Sequence, residues 1–347
     1  MEGILFRVDG GKIWGLSFGH IFRCLALAGE LKSRLGLSCR FLMKDIPAGI
    51  EVVRRRGFAV VTLPANAAPE AEAAAILAHP ETTFVVDLPE PNPALIAHIE
   101  RQGRFAAVFD EKGSIPEATL VVDGRIGVPP SRDNRRLAGP AYCVLGPEFD
   151  HSRRATTRGP GRRALMTFGG SDPAGLTLRV ARALAARARG IEIAIVLGPG
   201  YGESDELTGM AAKSEGAIVL IRDVSDMAGV MLESDAALSA AGRTAYELAA
   251  TGTPAVLAPS IAHEKPVARA LAQAGAAVVA EVENDRDAET AAGMLLALLS
   301  DSARREAMRR AGMALVDGQG RRRVADAIAT LGKSQGTLPD SRQRATS

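Results

Sequence analysis

The chain has 347 residues, of which 47% are hydrophobic, 24% charged and 4% aromatic, with a formal net charge of +2. This length suffices for two domains with hydrophobic cores, and the composition is typical of a soluble globular protein. The small net charge and the few aromatic rings disfavour a nucleic-acid-binding surface. The N-terminus lacks the long apolar segment of a signal peptide, and no apolar stretch reaches membrane-spanning length. We therefore expect a cytoplasmic protein without an integral membrane segment.

Three cysteines, Cys24, Cys39 and Cys143, lie far apart in the sequence, without a CxxC pair or a Cys/His cluster. This spacing indicates neither a zinc site nor a disulfide framework, and it fits reduced thiols in a cytosol. We expect the protein to use neither a metal nor a cofactor.

Strand-like and helix-like segments alternate through the first half of the chain. The predicted strands are Ile4–Val8, Ser38–Met43, Ala59–Leu63, Thr83–Val86, Ala106–Phe109 and Thr119–Val122. The predicted helices are about Ile21–Leu35, Ile46–Arg56, Pro69–Ala78 and Pro93–Gln102. Apolar strands joined by helices are typical of a parallel sheet covered on both faces.

Aspartates follow or end several of these strands: Asp9, Asp87, Asp110 and Asp123. Open α/β sheets bind their ligands at the carboxyl ends of the strands, so each aspartate is a candidate ligand contact. Each could equally cap a helix or belong to a turn, and that alternative stays open.

A change of composition separates the two halves. Residues 129–163 are rich in Arg, Pro and Gly, with one short predicted strand near Tyr142–Leu145. The alternation then restarts, with predicted strands at Ala164–Phe168, Ile191–Leu197, Ala217–Ile221, Ala236–Ser239, Ala255–Ala258 and Ala276–Ala280. Predicted helices end near Ala186 and Ala250, span about Val224–Leu232 and Lys265–Ala274, and form three segments up to Leu331.

The chain is therefore predicted to be an α/β protein with two tandem Rossmann-like, doubly wound domains and a cleft between them. We place the first domain at residues 1–145, a linker at 146–163, the second domain at 164–331 and a disordered polar tail at 332–347. The first strand is not followed by G-x-G-x-x-G, and the chain has no G-x-x-x-x-G-K-[ST], which disfavours a dinucleotide-binding or P-loop protein.

The segment Gly15–Ala28 joins the first strand to the first helix and carries the candidate catalytic residue, His20. A helix N-terminus attracts anions and disfavours an imidazolium, so a histidine there would remain neutral at pH 7, as a general base must. The alternative is that His20 only caps the helix or packs on its surface.

Two loops of the second half are predicted to bind phosphate. Gly169–Asp172 and Gly242–Thr244 each join a strand to a helix, where glycines allow close approach and backbone N–H groups point outward. The candidate contacts are Gly170, Ser171, Asp172, Gly242, Arg243 and Thr244, of which Ser171 and Thr244 add hydroxyls. Glu247, on the following helix, could accept hydrogen bonds from a ribose diol, or simply interact with the helix dipole.

Several motifs resemble one family of enzymes. G-H-x-x-R-C at Gly19–Cys24 and G-G-S-D-P at Gly169–Pro173 resemble the UDP-2,4-diacetamido-2,4,6-trideoxy-β-L-altropyranose hydrolases of pseudaminic acid biosynthesis, a family that includes related spore-coat polysaccharide proteins. Ser239–Pro259 resembles the donor-nucleotide motif that this family shares with the peptidoglycan N-acetylglucosaminyltransferase, and Leu145–Phe149 resembles its linker motif.

The resemblance implies a GT-B-like architecture that binds a UDP-sugar and hydrolyses it to the free sugar and UDP without a metal. In this scheme His20 activates the water, Glu247 binds the ribose, and Ser171 with Gly242–Thr244 binds the diphosphate. We place Gly19, Arg23 and Asp9 among the substrate-binding residues of the first domain.

Three departures from the family pattern concern the sugar. The loop before His20 differs, His263-Glu264 stands where the family often has Asn-Gln, and Asp87-Leu88-Pro89 stands where it has D-x-Y. Two alternatives therefore stay open. One is a glycosyltransferase that uses the same donor site with an acceptor hydroxyl in place of water, and the other is a non-catalytic protein that binds nucleotide sugars. The sequence leaves the sugar and the oligomeric state open.

Overall fold

The computed structural model describes residues 3–11, 18–90, 92–115, 118–150, 159–187 and 189–338. The chain forms two compact units, which we call the first and the second unit. The first contains the residues up to Gly146 together with those from Gln319 onward, and the second contains Pro147–Gly318. Each unit contains its own parallel sheet.

The first unit contains a seven-stranded sheet in the order β3-β2-β1-β4-β5-β6-β7. Its strands are β1 (Gly3–Val8), β2 (Ser38–Lys44), β3 (Ala59–Leu63), β4 (Thr83–Asp87), β5 (Phe105–Phe109), β6 (Leu120–Asp123) and β7 (Arg136–Ala138). All neighbouring strands run parallel, and Val8 at the end of β1 lies beside Asp87 at the end of β4. The strand order reverses between β1 and β4, and such a switch point is where doubly wound sheets bind ligands.

Four helices join the first strands: α1 (Gly19–Leu35), α2 (Pro47–Arg55), α3 (Pro69–Ala78) and α4 (Pro93–Arg101). A proline begins each of α2, α3 and α4, a position where its missing N–H costs no helical hydrogen bond. Gly36 ends α1 with a φ of +66°, a conformation that glycine adopts without strain.

Two apolar clusters cover the sheet of the first unit. One contains Phe6, Phe41 and Leu27 with other residues of α1 and α2, and the other contains Leu5 and Phe84 with residues of α3 and α4. Leu5 and Phe6, which are neighbours on β1, belong to different clusters because successive side chains of a strand point to opposite faces of the sheet.

The second unit contains a six-stranded parallel sheet in the order β10-β9-β8-β11-β12-β13, with its switch point between β8 and β11. Its strands are β8 (Arg163–Thr167), β9 (Glu192–Val196), β10 (Ile218–Ile221), β11 (Ala236–Ser239), β12 (Ala255–Leu257) and β13 (Ala277–Val279). Its helices are α5 (Leu176–Ala185), α6 (Asp205–Lys213), α7 (Met227–Glu233), α8 (Arg243–Thr251), α9 (Lys265–Gln273), α10 (Asp285–Ser300) and α11 (Ser302–Leu315).

The chain then returns to the first unit with its last helix, α12 (Gly320–Ser334), which packs against α1. Arg321 Nε donates to Glu30 Oε2 at 2.9 Å, and both side chains are buried. Val324 and Ile328 join the apolar cluster around α1. The sequence predicts this helix to be the last of three helical segments that complete the second domain, whereas in the structure it belongs to the first unit.

The two parallel sheets confirm the predicted fold class, two doubly wound α/β domains, and three local predictions differ from the structure. The edge strand is β7, and the strand expected near Tyr142–Leu145 is a 3₁₀ turn at Pro140–Tyr142 followed by a buried loop. Helix α6 was not predicted. In the tail, Thr82 Oγ1 donates to Thr337 O at 2.8 Å and Leu338 is buried, so residues 332–338 are ordered, whereas 339–347 lie outside the described residues.

Candidate active site

A histidine–carboxylate pair lies at the switch point of the first unit. His20 is the second residue of α1, and its Nδ1 lies 2.7 Å from Asp87 Oδ1. Asp87 is fully buried at the end of β4. Burial alone would raise the pKa of Asp87, but the charge of Arg23 and the contact with His20 outweigh it and hold that pKa well below its usual range. Asp87 is therefore a carboxylate at neutral pH.

This carboxylate determines which nitrogen of His20 can accept a proton. An ionised carboxylate only accepts hydrogen bonds, so His20 Nδ1 must carry the proton that it donates to Asp87. The neutral ring then leaves Nε2 as an acceptor, as general-base chemistry requires. The His20 side chain is 22% exposed, so a small nucleophile can reach it.

Arg23 also binds the carboxylate of Asp87. Its Nε donates to Asp87 Oδ2 at 2.7 Å and its Nη2 donates to Asp87 Oδ1 at 2.7 Å. Its Nη1 donates to Glu111, and its guanidinium lies 4.5 Å from the centre of the Phe109 ring. Burial opposes the charge of Arg23, but Asp87 and Glu111 together raise its pKa well above the ordinary value. Arg23, which the sequence predicts to bind the substrate, is thus mainly engaged in positioning Asp87.

Of the two remaining predicted residues of the first unit, Gly19 adjoins the His20–Asp87 pair and Asp9 lies apart from it. Gly19 begins α1 directly before His20, and the altered loop at residues 12–17 lies outside the described residues. Asp9 is buried and accepts hydrogen bonds from Arg7 Nη2 at 2.7 Å and from the backbone N–H of Lys44 at 2.7 Å. It faces α3, where Arg7 also donates to Glu72, so it lies on the face of the sheet opposite to α1.

The two predicted phosphate loops follow neighbouring strands of the second unit. Strands β8 and β11 pair directly, and Ala240 N donates to Thr167 O at 3.2 Å where they end. The glycines of the first loop pack against another loop, since Gly200 N donates to Gly170 O at 2.7 Å. A Cβ atom at Gly198 would lie only 2.3 Å from Gly169 O, so this approach requires glycine.

Both carboxylate oxygens of Asp172 accept hydrogen bonds from the protein backbone. Its Oδ1 accepts from Leu176 N at 2.9 Å and its Oδ2 accepts from Thr177 N at 2.7 Å, at the start of α5. These are two of the N–H groups that we had expected to meet a diphosphate. Ser171, next to it, is exposed.

The start of α8 is different, because within the described residues no side chain caps it. Gly242 precedes the helix, and Arg243 and Thr244 form its first turn with partly exposed side chains. Uncapped N–H groups at a helix N-terminus bind anions such as phosphate. The N–H groups at the start of α8 therefore have no capping side chain among the described residues, whereas two N–H groups at the start of α5 already donate to Asp172.

Glu247 lies one turn into α8, with its side chain 13% exposed. Arg243 Nε donates to Glu247 Oε1 at 3.1 Å. Burial raises the pKa of Glu247, Arg243 lowers it in part, and nearby Glu148 raises it further. A poorly solvated carboxylate that has one hydrogen bond from Arg243 can accept further hydrogen bonds from hydroxyl groups.

Glu264 is a residue of this region that the sequence indicated only as a departure from a family pattern. It is buried and accepts hydrogen bonds from Ser260 N at 2.7 Å and from Ser260 Oγ at 3.0 Å. A Cβ atom at Gly242 would lie 2.9 Å from Glu264 Oε1, so this carboxylate contacts the loop before α8. Glycine at 242 makes room for it.

The described residues contain no group of three or more His, Cys, Asp or Glu side chains arranged to hold a metal ion. None of the helices in these ranges combines the length and the apolar composition that crossing a membrane requires.

Comparison with known families gives a match to most of the second unit. Residues 164–327 match the glycosyltransferase family 28 C-terminal domain. This match begins within β8 and extends into α12, and it includes Glu247 and both loops that the sequence predicts to bind phosphate.

Three curated proteins resemble the chain over longer ranges. It is 27% identical to the spore coat polysaccharide biosynthesis protein SpsG of Bacillus subtilis, over 91% of this chain and 94% of that protein. It is 28% identical to the UDP-N-acetylglucosamine–N-acetylmuramyl-(pentapeptide) pyrophosphoryl-undecaprenol N-acetylglucosamine transferase of Solidesulfovibrio magneticus, over 90% and 93%. It is also 27% identical to an uncharacterised protein of Methanocaldococcus jannaschii, and spans about half of that protein's length (55%).

Solved structures share the fold. MurG of Acinetobacter baumannii superposes with a TM-score of 0.66 at 16% identity, over 94% of this chain and 99% of that chain. The UDP-GlcNAc 2-epimerase of Neisseria meningitidis bound to UDP-GlcNAc superposes with a TM-score of 0.59 at 11% identity, over 94% and 100%. These likenesses confirm the GT-B type of the two α/β domains.

Proposed function

We propose that this protein is a nucleotide-sugar enzyme, which transfers a sugar from a UDP-sugar to an oxygen nucleophile with His20 as the general base. The observation that carries the proposal is the contact of His20 Nδ1 with the ionised, buried carboxylate of Asp87 at 2.7 Å. It leaves Nε2 as the proton acceptor at the ligand-binding edge of the sheet.

The second unit supplies the features that a nucleotide needs. The uncapped start of α8 can bind the diphosphate, and Glu247 can accept hydrogen bonds from the ribose hydroxyls. The family 28 match covers these residues, and the names of the relatives place them in polysaccharide biosynthesis or in the transfer of N-acetylglucosamine from its UDP derivative. We propose UDP as the nucleotide and surface polysaccharide biosynthesis as the process.

The reaction is a single displacement at the anomeric carbon. The oxygen of the nucleophile forms a bond to that carbon while the bond from the carbon to the diphosphate oxygen breaks. The proton of the nucleophile passes to His20 Nε2, and UDP leaves with the bonding electrons. N–H groups at the start of α8 stabilise the charge that develops on the leaving diphosphate. A single displacement inverts the configuration of the sugar.

The nucleophile distinguishes two forms of this proposal. Similarity to family 28 and to the N-acetylglucosamine transferase supports an acceptor hydroxyl, and a glycosyltransferase is therefore our main proposal. The resemblance of Gly19–Cys24 to nucleotide-sugar hydrolases supports water as the second candidate. His20 can deprotonate either nucleophile.

The test is the release of UDP from a panel of UDP-sugars, measured with and without candidate sugar acceptors. We expect release that depends on an acceptor, and release in buffer alone would identify a hydrolase. His20→Ala should lower turnover by about 10²–10⁴-fold and leave UDP binding nearly intact, because the base belongs to the first unit and the nucleotide contacts to the second.

His98→Ala is the matched control, since His98 lies on α4 with a partly exposed side chain that bonds only to Gln102 among the described residues. It should retain full turnover. Tight UDP binding without turnover of any UDP-sugar would contradict the enzymatic proposal. Near-native turnover in His20→Asn, with an unchanged pH profile, would contradict the role of His20 as base.

A further inference from the structure

A second cavity of the first unit lies on the other side of the sheet from His20. It has a volume of about 430 Å³ and lies at the carboxyl ends of β1 and β2, beside α3, α4 and the segment that follows β4. Leu5 and Arg7 of β1 lie on the face of the sheet that α3 and α4 cover. Val85 and Asp87 of the neighbouring strand β4 lie on the opposite face, which α1 covers. The sheet therefore separates this cavity from the catalytic pair.

Arg7 lines the cavity and is only 1% exposed. Its Nε donates to Glu72 Oε1 at 2.8 Å and its Nη2 donates to Asp9 Oδ2 at 2.7 Å. Its Nη1 has no hydrogen-bond acceptor within the part of the chain that the structure describes. A buried guanidinium N–H without an acceptor is costly, and a ligand oxygen in the cavity would satisfy it.

The charges around the cavity favour an uncharged ligand. Arg7 and Lys44 are balanced by Asp9 and Glu72, since Lys44 Nζ lies 3.9 Å from Glu72 Oε2. The exposed Glu90 at the rim pairs with Lys112, whose Nζ lies 3.1 Å from Glu90 Oε1, so it adds no net charge either. An anion would meet no net positive field here, whereas a hydroxyl group can donate to either carboxylate and accept from Arg7.

The rest of the wall is apolar except for Asn92, whose Oδ1 accepts hydrogen bonds from Ala94 N and Leu95 N at the start of α4. Its apolar part is formed by Ala67, Pro69, Leu88, Pro89 and Leu95. An apolar wall with a few convergent polar groups is typical of small-molecule sites, and about 300–1,000 Å³ is their usual volume. A sugar ring has both kinds of surface, C–H groups on its faces and hydroxyls around its edge.

We propose that this cavity is a binding subsite for an uncharged sugar, in which Arg7 Nη1 donates to a hydroxyl or amide carbonyl oxygen and Asp9 and Glu72 accept from hydroxyls. The subsite is formed by the first unit alone and requires neither a nucleotide nor His20. It goes beyond the proposed function, because it assigns a carbohydrate-binding role to residues that the transfer chemistry does not use.

The test uses the full chain and free sugars without nucleotide. Saturation-transfer NMR with N-acetylglucosamine and with galactose, at concentrations up to about 50 mM because small ligands bind weakly, should detect binding of at least one of them. Arg7→Lys keeps a cation between Asp9 and Glu72 but removes Nη1, and it should weaken binding by about tenfold or more. Leu88→Trp should weaken it by filling the cavity without changing Arg7.

Arg40→Lys is the matched control, an Arg on β2 that pairs with Glu81 away from the cavity, and it should bind sugar as the wild type does. His20→Ala should also retain sugar binding, which separates this proposal from the proposed function. Three outcomes would overturn the subsite: neither sugar binds, binding survives both Arg7→Lys and Leu88→Trp, or inorganic phosphate binds in an Arg7-dependent way and displaces the sugar.

Discussion

The ring of His20 can act as a base only if one of its nitrogens is held as an acceptor, and Asp87 provides that constraint. Sequence reasoning placed His20 at the start of α1 and named Asp87 as an aspartate at a strand end. It did not pair them, because the two residues are 67 positions apart and meet only through the pairing of β1 with β4. The order of strands in a sheet is a tertiary property that local patterns do not contain.

Replacing Asp87 with asparagine tests this role. The amide of Asp87→Asn can donate to Nδ1, which favours the ring form with its proton on Nε2 and removes the acceptor. We expect turnover to fall by about 10²–10⁴-fold while UDP affinity stays unchanged. Long-range ¹H–¹⁵N NMR of His20 should show the proton on Nδ1 in the wild type.

Glu111→Gln is the control for this experiment, because Glu111 contacts Arg23 and not His20. Its turnover should change little. Wild-type turnover in Asp87→Asn would show that the His20–Asp87 contact is only structural.

We expect the carboxylate of Glu247 to destabilise the folded protein and to strengthen the binding of UDP. Burial raises its pKa above the value in the unfolded chain. A carboxylate with a raised folded pKa destabilises the protein as pH rises through the unfolded and then the folded pKa, and this cost is fully present above both. Glu247→Gln should therefore raise the Tm at pH 7, and should raise it less near pH 4, below the folded pKa.

The same substitution should weaken UDP binding, because a charged acceptor of the ribose hydroxyls is lost, at about 1.5–3 kcal/mol per hydrogen bond. Thermal unfolding at both pH values and calorimetric titration with UDP measure the two effects. Unchanged UDP affinity would show that Glu247 does not contact the ribose.

Helices α5 and α8 differ in how their first N–H groups are satisfied, and this difference divides the predicted phosphate contacts. Asp172 caps α5, whereas within the described residues no side chain caps α8. Asp172→Ala should lower the free energy of unfolding by about 0.5–2 kcal/mol and leave UDP affinity unchanged.

Ser171→Ala should show the opposite pattern if the exposed hydroxyl contacts the diphosphate, with unchanged stability and weaker UDP binding. Chemical denaturation and calorimetric titration of both variants check these expectations. Weaker UDP binding in Asp172→Ala, at unchanged stability, would show that Asp172 contacts the substrate and does not act as a helix cap.

The elements that sequence patterns missed have weak local patterns. Helix α6 has a single buried residue, Leu207, and Gly209 lies in its middle, so the apolar stripe that identifies other helices is lacking. Its one local indication is Ser204, which accepts a hydrogen bond from Leu207 N at 3.3 Å as an N-cap. Strand β7 has three residues and is defined by its pairing with β6, which its own sequence does not show.

At the scale of the whole molecule, the chain leaves the first unit after Gly146 and returns to it at Gln319. The sequence predicted two domains in tandem but could not show this return, because α12 has the same amphipathic pattern as its neighbours α10 and α11. The return depends on tertiary contacts with α1, which include the ion pair of Glu30 with Arg321 and the apolar packing of α12.

Breaking this pair should destabilise the first unit. Glu30 Oε2 accepts from Arg321 Nε at 2.9 Å and Glu30 Oε1 accepts from Arg34 Nε at 2.6 Å. Glu30→Gln would remove the charge that Glu30 presents to the buried Arg321, and breaking a buried ion pair costs about 3–5 kcal/mol. Chemical denaturation at pH 7, followed by hydrogen exchange of α1 and α12, should show the loss in the first unit and not in the second.

The pH dependence of this loss follows from the direction of the pKa shift. Burial alone would raise the pKa of Glu30, but Arg321 and Arg34 outweigh it and lower that pKa. The stabilisation is therefore fully present above the unfolded pKa of about 4.3 and disappears as pH falls through the lower folded value. Wild type and Glu30→Gln should differ most at pH 7 and converge in acid. Asp326→Asn, which removes only the exposed partner of Arg34, should cost no more than about 1 kcal/mol at any pH. Equal denaturation midpoints for wild type and Glu30→Gln at pH 7 would mean that the apolar contacts of Val324 and Ile328 hold α12 on α1 without help from the ion pair.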